Sequence, residues 1–253
     1  MSSSNALQHP SPAAWTVKYP WMTAIGFAFV PVLFTALGSA VAQVLAVGDS
    51  RAILIIAGAA SISAILGLIV MRSSGRSKKS FGYRRPVNLR AAWWLVPPVI
   101  TIGLVLATAA PSATGSIIGA YLVLSVAVAV NEETWFRGNA LAVLRPVGIR
   151  AAIVVSSVLF GVMHLANLAG GADLSSSLLQ MVFALIFGVV AAELVVVTSS
   201  LWPAILWHAA WDFVNYLGGN ETVPLALVGV ELSCAVMIAY AMRLWRWTIK
   251  MNA

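Results

Sequence analysis

Eight apolar runs separated by short polar breaks organise the chain, at about 22–46, 52–71, 92–110, 117–131, 151–168, 175–197, 203–217 and 224–244. Most approach the ~20 residues a helix needs to cross a hydrocarbon core, and Gly, Pro, Ser or charge clusters interrupt them. The pattern predicts an all-α, polytopic membrane protein with about eight transmembrane helices. Trp21, Trp93, Trp94, Trp202, Trp245 and Trp247 fall near run ends, where aromatic rings anchor at the interface, while Trp207 and Trp211 lie deeper. The stretch 138–150, broken by Arg145, Pro146 and Gly148, reads as an interfacial connector rather than a crossing. One membrane domain at 22–247 is expected, between a polar N-terminal tail at 1–21 and a C-terminal tail at 248–253, with no internal repeat.

Composition narrows this further. The 253 residues are 60% hydrophobic and only 9% charged, and the mean hydropathy is +0.93. A soluble fold of this size has too little interior for so much apolar side chain. The net charge of +7 raises the question of nucleic acid, and its distribution argues against it. Arg72, Arg76, Lys78, Lys79, Arg84, Arg85 and Arg90 share one loop, and most other basic residues sit at run ends. With the N-terminus cytoplasmic, the inner segments hold fourteen of the fifteen Lys and Arg residues and the outer ones only Arg51. Both termini are therefore expected to be cytoplasmic, with Asp49, Asp173 and Glu221 outside. Cys234, the one cysteine, lies in an apolar run and excludes an intrachain disulfide. The opening residues lack the basic region of a signal peptide.

Of the eight acidic residues, five fall in or beside predicted spans: Glu132, Glu133, Glu193, Asp212 and Glu231. A charge near the bilayer centre costs at least ~2.5 kcal/mol on insertion scales, so each needs a partner, a proton or a task. His164 and His208 are also inside spans. Glu133 and Arg137, four apart, share a helical face and can form an ion pair, while Glu132 is turned about 100° away and stays free for chemistry. Phe160 lies one turn before His164 and can wall the imidazole from lipid. His208 and Asp212 share a face and can point at one spot. Glu133 with Arg137, or either histidine, could equally be structural glue, and Glu193 and Glu231 match no other pattern. Helical rise puts Glu132 about 22 Å below the outer end of its span and His208 and Asp212 about 8–14 Å above the inner end of theirs, in the cytoplasmic half. His164, about 20 Å up from residue 151, fits that depth less well. Either the fifth helix starts below the membrane surface or the site lies deeper.

The patterns Glu-Glu-x-x-x-Arg at 132–137, Phe-x-x-x-His at 160–164 and His-x-x-x-Asp at 208–212, in this order on successive spans, resemble those of the CPBP family. These are the CAAX-processing and bacteriocin-processing intramembrane proteases, also called the Abi family, related to the type II CAAX prenyl endopeptidase. The flanks Phe136-Arg137-Gly138, Leu159-Phe160-Gly161-Val162-Met163-His164-Leu165 and Leu201-Trp202-Pro203 are similar too, and the likeness covers about residues 90–220. The resemblance implies a site open toward the cytoplasmic leaflet, in which Glu132 and His164 activate a water and His208 with the residue at 212 stabilises the oxyanion. Relatives usually carry Asn where this chain has Asp212, which donates a hydrogen bond only when protonated and otherwise orients His208. Thr134-Trp135 is a second departure from the usual smaller or aliphatic residues.

The expectation is thus an intramembrane endopeptidase acting on a membrane-associated or prenylated peptide, with catalytic Glu132, Glu133, Arg137, His164, His208 and Asp212. Trp135, Phe160, Trp207 and Trp211 are candidates for substrate binding. Glu132, His164 and His208 could hold a divalent metal such as zinc with one open position, but no His-Glu-x-x-His helix is present, and a metal-free glutamate mechanism is preferred. Two other readings stay open. Trp135, Trp207 and Trp211 beside acid/base groups could serve cation chemistry on an isoprenoid lipid, and a non-enzymatic transporter or immunity protein could keep the cluster as an ion path. The expected partners are substrate and lipid bilayer, not nucleic acid, and the composition is compatible with a bacterial plasma membrane.

Overall fold

The computed structural model describes residues 18–87, 93–108, 113–218 and 224–251. The N-terminal tail up to residue 17, Arg90 and Glu221 lie outside the described residues. Eight helices of thirteen or more residues follow one another: α1 Pro20–Val44, α2 Asp49–Ser73, α3 Val96–Thr108, α4 Ser116–Glu133, α5 Ile149–Met163, α6 Leu174–Thr198, α7 Trp202–Gly218 and α8 Pro224–Met251. Among the described residues there is no strand. Six helical stretches are long and apolar enough to cross a membrane, and α3 and α7 are the shorter two. The chain is an all-α, multi-pass membrane protein.

The distribution of side-chain size is that of a bundle solvated by lipid. Large apolar residues face outward, among them Leu33 and Leu37 of α1, Ile62, Ile65 and Ile69 of α2, and Leu179 and Val182 of α6. Small residues fill the contacts: Ala24, Ala28, Ala57, Ala60, Ala64, Ala191 and Ala192 are buried. Lipid tails are as apolar as Leu, so helices gain by letting backbones approach rather than by hiding large side chains. The closest pairings are α2 with α1 and α4, α5 with α6, α3 with α8, and α4 with α7.

Two departures from the expected topology position the site. First, α4 does not stop near residue 131. It runs on through a π-helical turn, Thr134–Ala140, into a last α-turn, Leu141–Leu144. Every residue from Glu133 to Leu141 is buried, so 138–144 is bundle interior rather than an interfacial connector, and only Arg145–Gly148 makes the turn. A π turn adds a residue to the hydrogen-bonded ring, and such turns collect at functional sites. The C-terminal tail expected from residue 248 is likewise helical as far as Met251.

Second, α7 begins inside the bundle. Ser200 and Leu201, which join it to α6, are fully buried. The loop after α2 covers this turn, with Leu201 N donating to Gly82 O at 2.8 Å, Val87 N to Thr198 O at 3.2 Å and Ser200 Oγ to Arg84 O at 2.6 Å. Gly82 has φ +97° and lies where a Cβ would meet Leu201 Cγ at 2.9 Å, so both its backbone shape and this approach favour glycine. His208 is only about 9 Å along α7 from Trp202, yet its ring centroid is 5.0 Å from that of Phe187, which lies about 16 Å from the end of α6. The polar groups therefore meet near mid-height of the bundle. The site is deeper than the count along α7 suggested, and this reconciles the height of His164.

Gly161 sets the approach of α5 to α6: a Cβ there would lie 2.9 Å from Met181 O and 3.0 Å from Leu185 Cβ. Gly161→Ala should lower stability by about 1–3 kcal/mol through overpacking against backbone. Gly103→Ala, where nothing lies within 4 Å, should not. Thermal unfolding in detergent checks this, and equal midpoints for the two variants would refute the close approach.

Candidate active site

Three helices deliver the polar groups to one place. On α4, Glu133 and Arg137 form the ion pair expected of their spacing, Nη1 to Oε1 at 3.1 Å, with both side chains fully buried. Glu133 has a second task the spacing did not reveal: its Oε1 lies 3.0 Å from His208 Nδ1. The carboxylate oxygen accepts, so this contact sets a proton on Nδ1 and turns Nε2 the other way. There Nε2 meets Glu132 Oε2 at 3.7 Å and Asp212 Oδ2 at 3.5 Å. The imidazole thus stands between the two adjacent glutamates, one on each nitrogen, which the 100° rotation between them makes possible. Glu132 and Asp212 keep part of their surface open while Glu133 has none.

From α5, Phe160 and His164 complete the group. The Phe160 ring lies 4.0 Å from the Arg137 guanidinium, 4.9 Å from the His164 ring and 5.9 Å from the His208 ring, so one aromatic side chain touches three charged or titratable groups. The guanidinium fits because position 188 on α6 is glycine: a Cβ there would lie 3.3 Å from Arg137 Nη2. His164 Nδ1 is 2.7 Å from Phe160 O. A carbonyl only accepts, so Nδ1 carries the proton and Nε2 presents a lone pair. His164 also lies within electrostatic range of His208, Asp212 and Arg137.

Of the four aromatic candidates, Phe160 is the one placed between the polar groups. Trp135 turns away: its indole N–H donates to Ser63 O and Oγ at 3.1 and 3.0 Å and its ring packs on Phe27. The structure places it in the contact of α4 with α1 and α2. Trp207 stacks on Phe187 at 4.0 Å and donates to Thr101 Oγ1, and Trp211 stacks on Phe183 at 4.7 Å. These two wall the site from the side of α6 and α3. Phe187, against His208 at 5.0 Å, was missed by sequence reasoning, although Phe187-Gly188 repeats the Phe160-Gly161 pairing of a ring with a close helix contact. Glu193 is fully buried on α6 with no hydrogen-bond partner among the described residues, and Glu231 is exposed on α8.

Tyr83 is a further contact from outside the spans. Its hydroxyl is 2.5 Å from Thr134 Oγ1, which itself donates to Val130 O, so the phenol is the donor. Burial pushes its pKa up, and it stays protonated. As for a metal, no three His, Cys, Asp or Glu side chains among the described residues converge as ligands would. Glu132, His164 and His208 are not gathered that way.

A helical membrane protein with paired glutamates, two imidazoles and an aspartate at mid-height has the groups of a hydrolase. Residues 114–214, which carry all three motifs, match the family described as Type II CAAX prenyl endopeptidase Rce1-like. The match supports the resemblance read from Glu132–Arg137, Phe160–His164 and His208–Asp212, and that family likeness supports a protease at the level of the family. No individually curated protein matches the chain.

Removing one partner of a fully buried pair leaves the other charge uncompensated, a loss of about 3–5 kcal/mol. Arg137→Ala should therefore unfold far more easily in detergent than Glu132→Gln, whose change should stay below about 1 kcal/mol. Comparable losses for both would show that the ion pair does not hold the structure.

Proposed function

We propose that the protein is an intramembrane endopeptidase that hydrolyses a peptide bond of a membrane-associated or prenylated substrate. The observation that carries this reading is the position of His208 between Glu133 on Nδ1 and the partly open Glu132 and Asp212 on Nε2. Glu132 takes a proton from a water as the water oxygen bonds to the scissile carbonyl carbon. His164, with Nδ1–H committed to Phe160 O, offers Nε2 as an acceptor that orients the same water. Charge builds on the carbonyl oxygen and is met by a hydrogen bond from His208 Nε2, whose ring is held by Glu133 as a carboxylate holds the histidine of a hydrolytic triad. The C–N bond then breaks and Glu132 returns its proton to the leaving amine, so water is divided between the new carboxylate and the new amine. Glu133 and Arg137 position His208 and do not touch substrate. Trp207, Trp211 and Phe160 supply the apolar wall for the residues flanking the bond.

Glu132→Gln and His164→Ala should each lower cleavage of a prenylated reporter peptide by about 10²–10⁴-fold with the unfolding midpoint unchanged. Activity surviving both changes would exclude the water-activating roles. Asp212→Asn, which keeps a donor beside His208, should remain within about tenfold of the parent, whereas Asp212→Leu should lose about 10²–10³-fold. The opposite order would make the Asp212 carboxylate itself essential.

A further inference from the structure

The loop between α2 and α3 combines two features that the proposed chemistry leaves unused. It is strongly basic, with Arg72, Lys78, Lys79, Arg84 and Arg85 exposed. Arg150 at the start of α5 and Arg243 and Arg246 near the end of α8 are exposed at the same end of the bundle. Of the described acidic residues at the surface, Asp49 and Asp173 stand at helix starts of the opposite end and Glu231 lies two turns into α8 from that end. This end therefore presents a face of one sign at the level where the spans leave the membrane.

The loop is also fastened to the polar cluster. Gly82 O accepts from Leu201 N and Arg84 O from Ser200 Oγ, at the turn that launches α7 toward His208. Tyr83 stands edge-on to Trp202 at 5.9 Å and donates to Thr134, the residue after Glu133. A bias of basic residues toward the cytoplasm explains where such charges lie. It does not explain why the segment that bears them is tied to both helices that hold His208.

We propose that this basic face binds the phosphate headgroups of anionic glycerophospholipids, and that bound headgroups keep the loop docked so that Tyr83 braces the π turn beside Glu133. Anionic headgroups fit because their phosphates lie at the depth of the helix ends and meet several Lys and Arg side chains at once. The binding half stands on the loop's charge and position; the effect on catalysis rests on the protease reading above.

The test places the full chain in vesicles of phosphatidylcholine alone or with phosphatidylglycerol added, and follows hydrogen exchange of the 78–87 amides and of the Leu201 amide. Phosphatidylglycerol should slow exchange there by roughly tenfold, the signature of fewer local openings. The combined change Lys78→Gln, Lys79→Gln, Arg84→Gln and Arg85→Gln should abolish that slowing with the unfolding midpoint in phosphatidylcholine unchanged. Tyr83→Phe should keep the slowing of the loop amides but lose the lipid dependence of cleavage. Exchange indifferent to phosphatidylglycerol would overturn the proposal. So would equal slowing by inorganic phosphate, or by an acidic peptide, added to phosphatidylcholine vesicles. Slowed exchange with no cleavage in any vesicle would support lipid binding and sink the protease reading; cleavage without lipid dependence would support the protease reading and sink the bracing of the π turn by bound lipid.

Discussion

A guanidinium with no exposed surface inside an apolar bundle is the constraint from which the rest follows. Arg137 cannot neutralise itself, so it needs a carboxylate within reach, and Glu133 one turn earlier provides it at 3.1 Å. That carboxylate then has acceptor capacity left over with no exposed surface, and His208 Nδ1 takes it. The flat face of the guanidinium is covered by Phe160. One buried charge thereby joins α4 to α7 through a hydrogen bond and to α5 through a ring. The π turn that starts after Glu133 belongs to the same solution, because it lets every side chain from Glu133 to Leu141 lie inside the bundle.

Close packing makes this junction rigid. Gly161 admits the backbone of α6 beside α5, and Gly188 leaves room for Nη2 of Arg137. Both sit next to a phenylalanine whose ring lines the site, so the residues that bring the helices together also set the distance between their functional groups. Side chains in such interiors sit in few rotamers, and an imidazole held at Nδ1 keeps its Nε2 direction.

Spacing along helices was legible because it depends only on the 100° step: Glu133 with Arg137, Phe160 with His164 and His208 with Asp212 could be paired from their numbers alone. Contacts between helices were not. Nothing in the spacing of Glu132 and Glu133 says that an imidazole from another helix will stand between them, or that Trp135 will find Ser63 while Trp207 finds Thr101. Depth failed for a definite reason. Counting from run ends assumes that helices begin at one level, whereas α7 starts at a buried turn roofed by the α2–α3 loop and α4 continues past its last apolar run. A hydropathy pattern marks where apolar residues stop, and a polar pair inside a bundle looks like such a stop.

Charge balance gives the substitution at position 212 its meaning. Arg137 offsets Glu133, which leaves His208 facing Glu132 and Asp212. Two further ionised carboxylates around a neutral ring would leave two uncompensated negative charges in a largely buried site. Under the proposed mechanism, one proton on Nε2 offsets one of them, and a second proton on Asp212 offsets the other, leaving Glu132 ionised to take the proton of the water. The proton on Nε2 then meets the developing oxyanion, while the one given to the leaving amine comes from the water by way of Glu132. With Asn at this position the second proton would be absent, and the ionised Glu132 would face the protonated ring beside a neutral amide. The carboxyl of Asp212 therefore alters the number of protons the site carries rather than the direction of its hydrogen bonds.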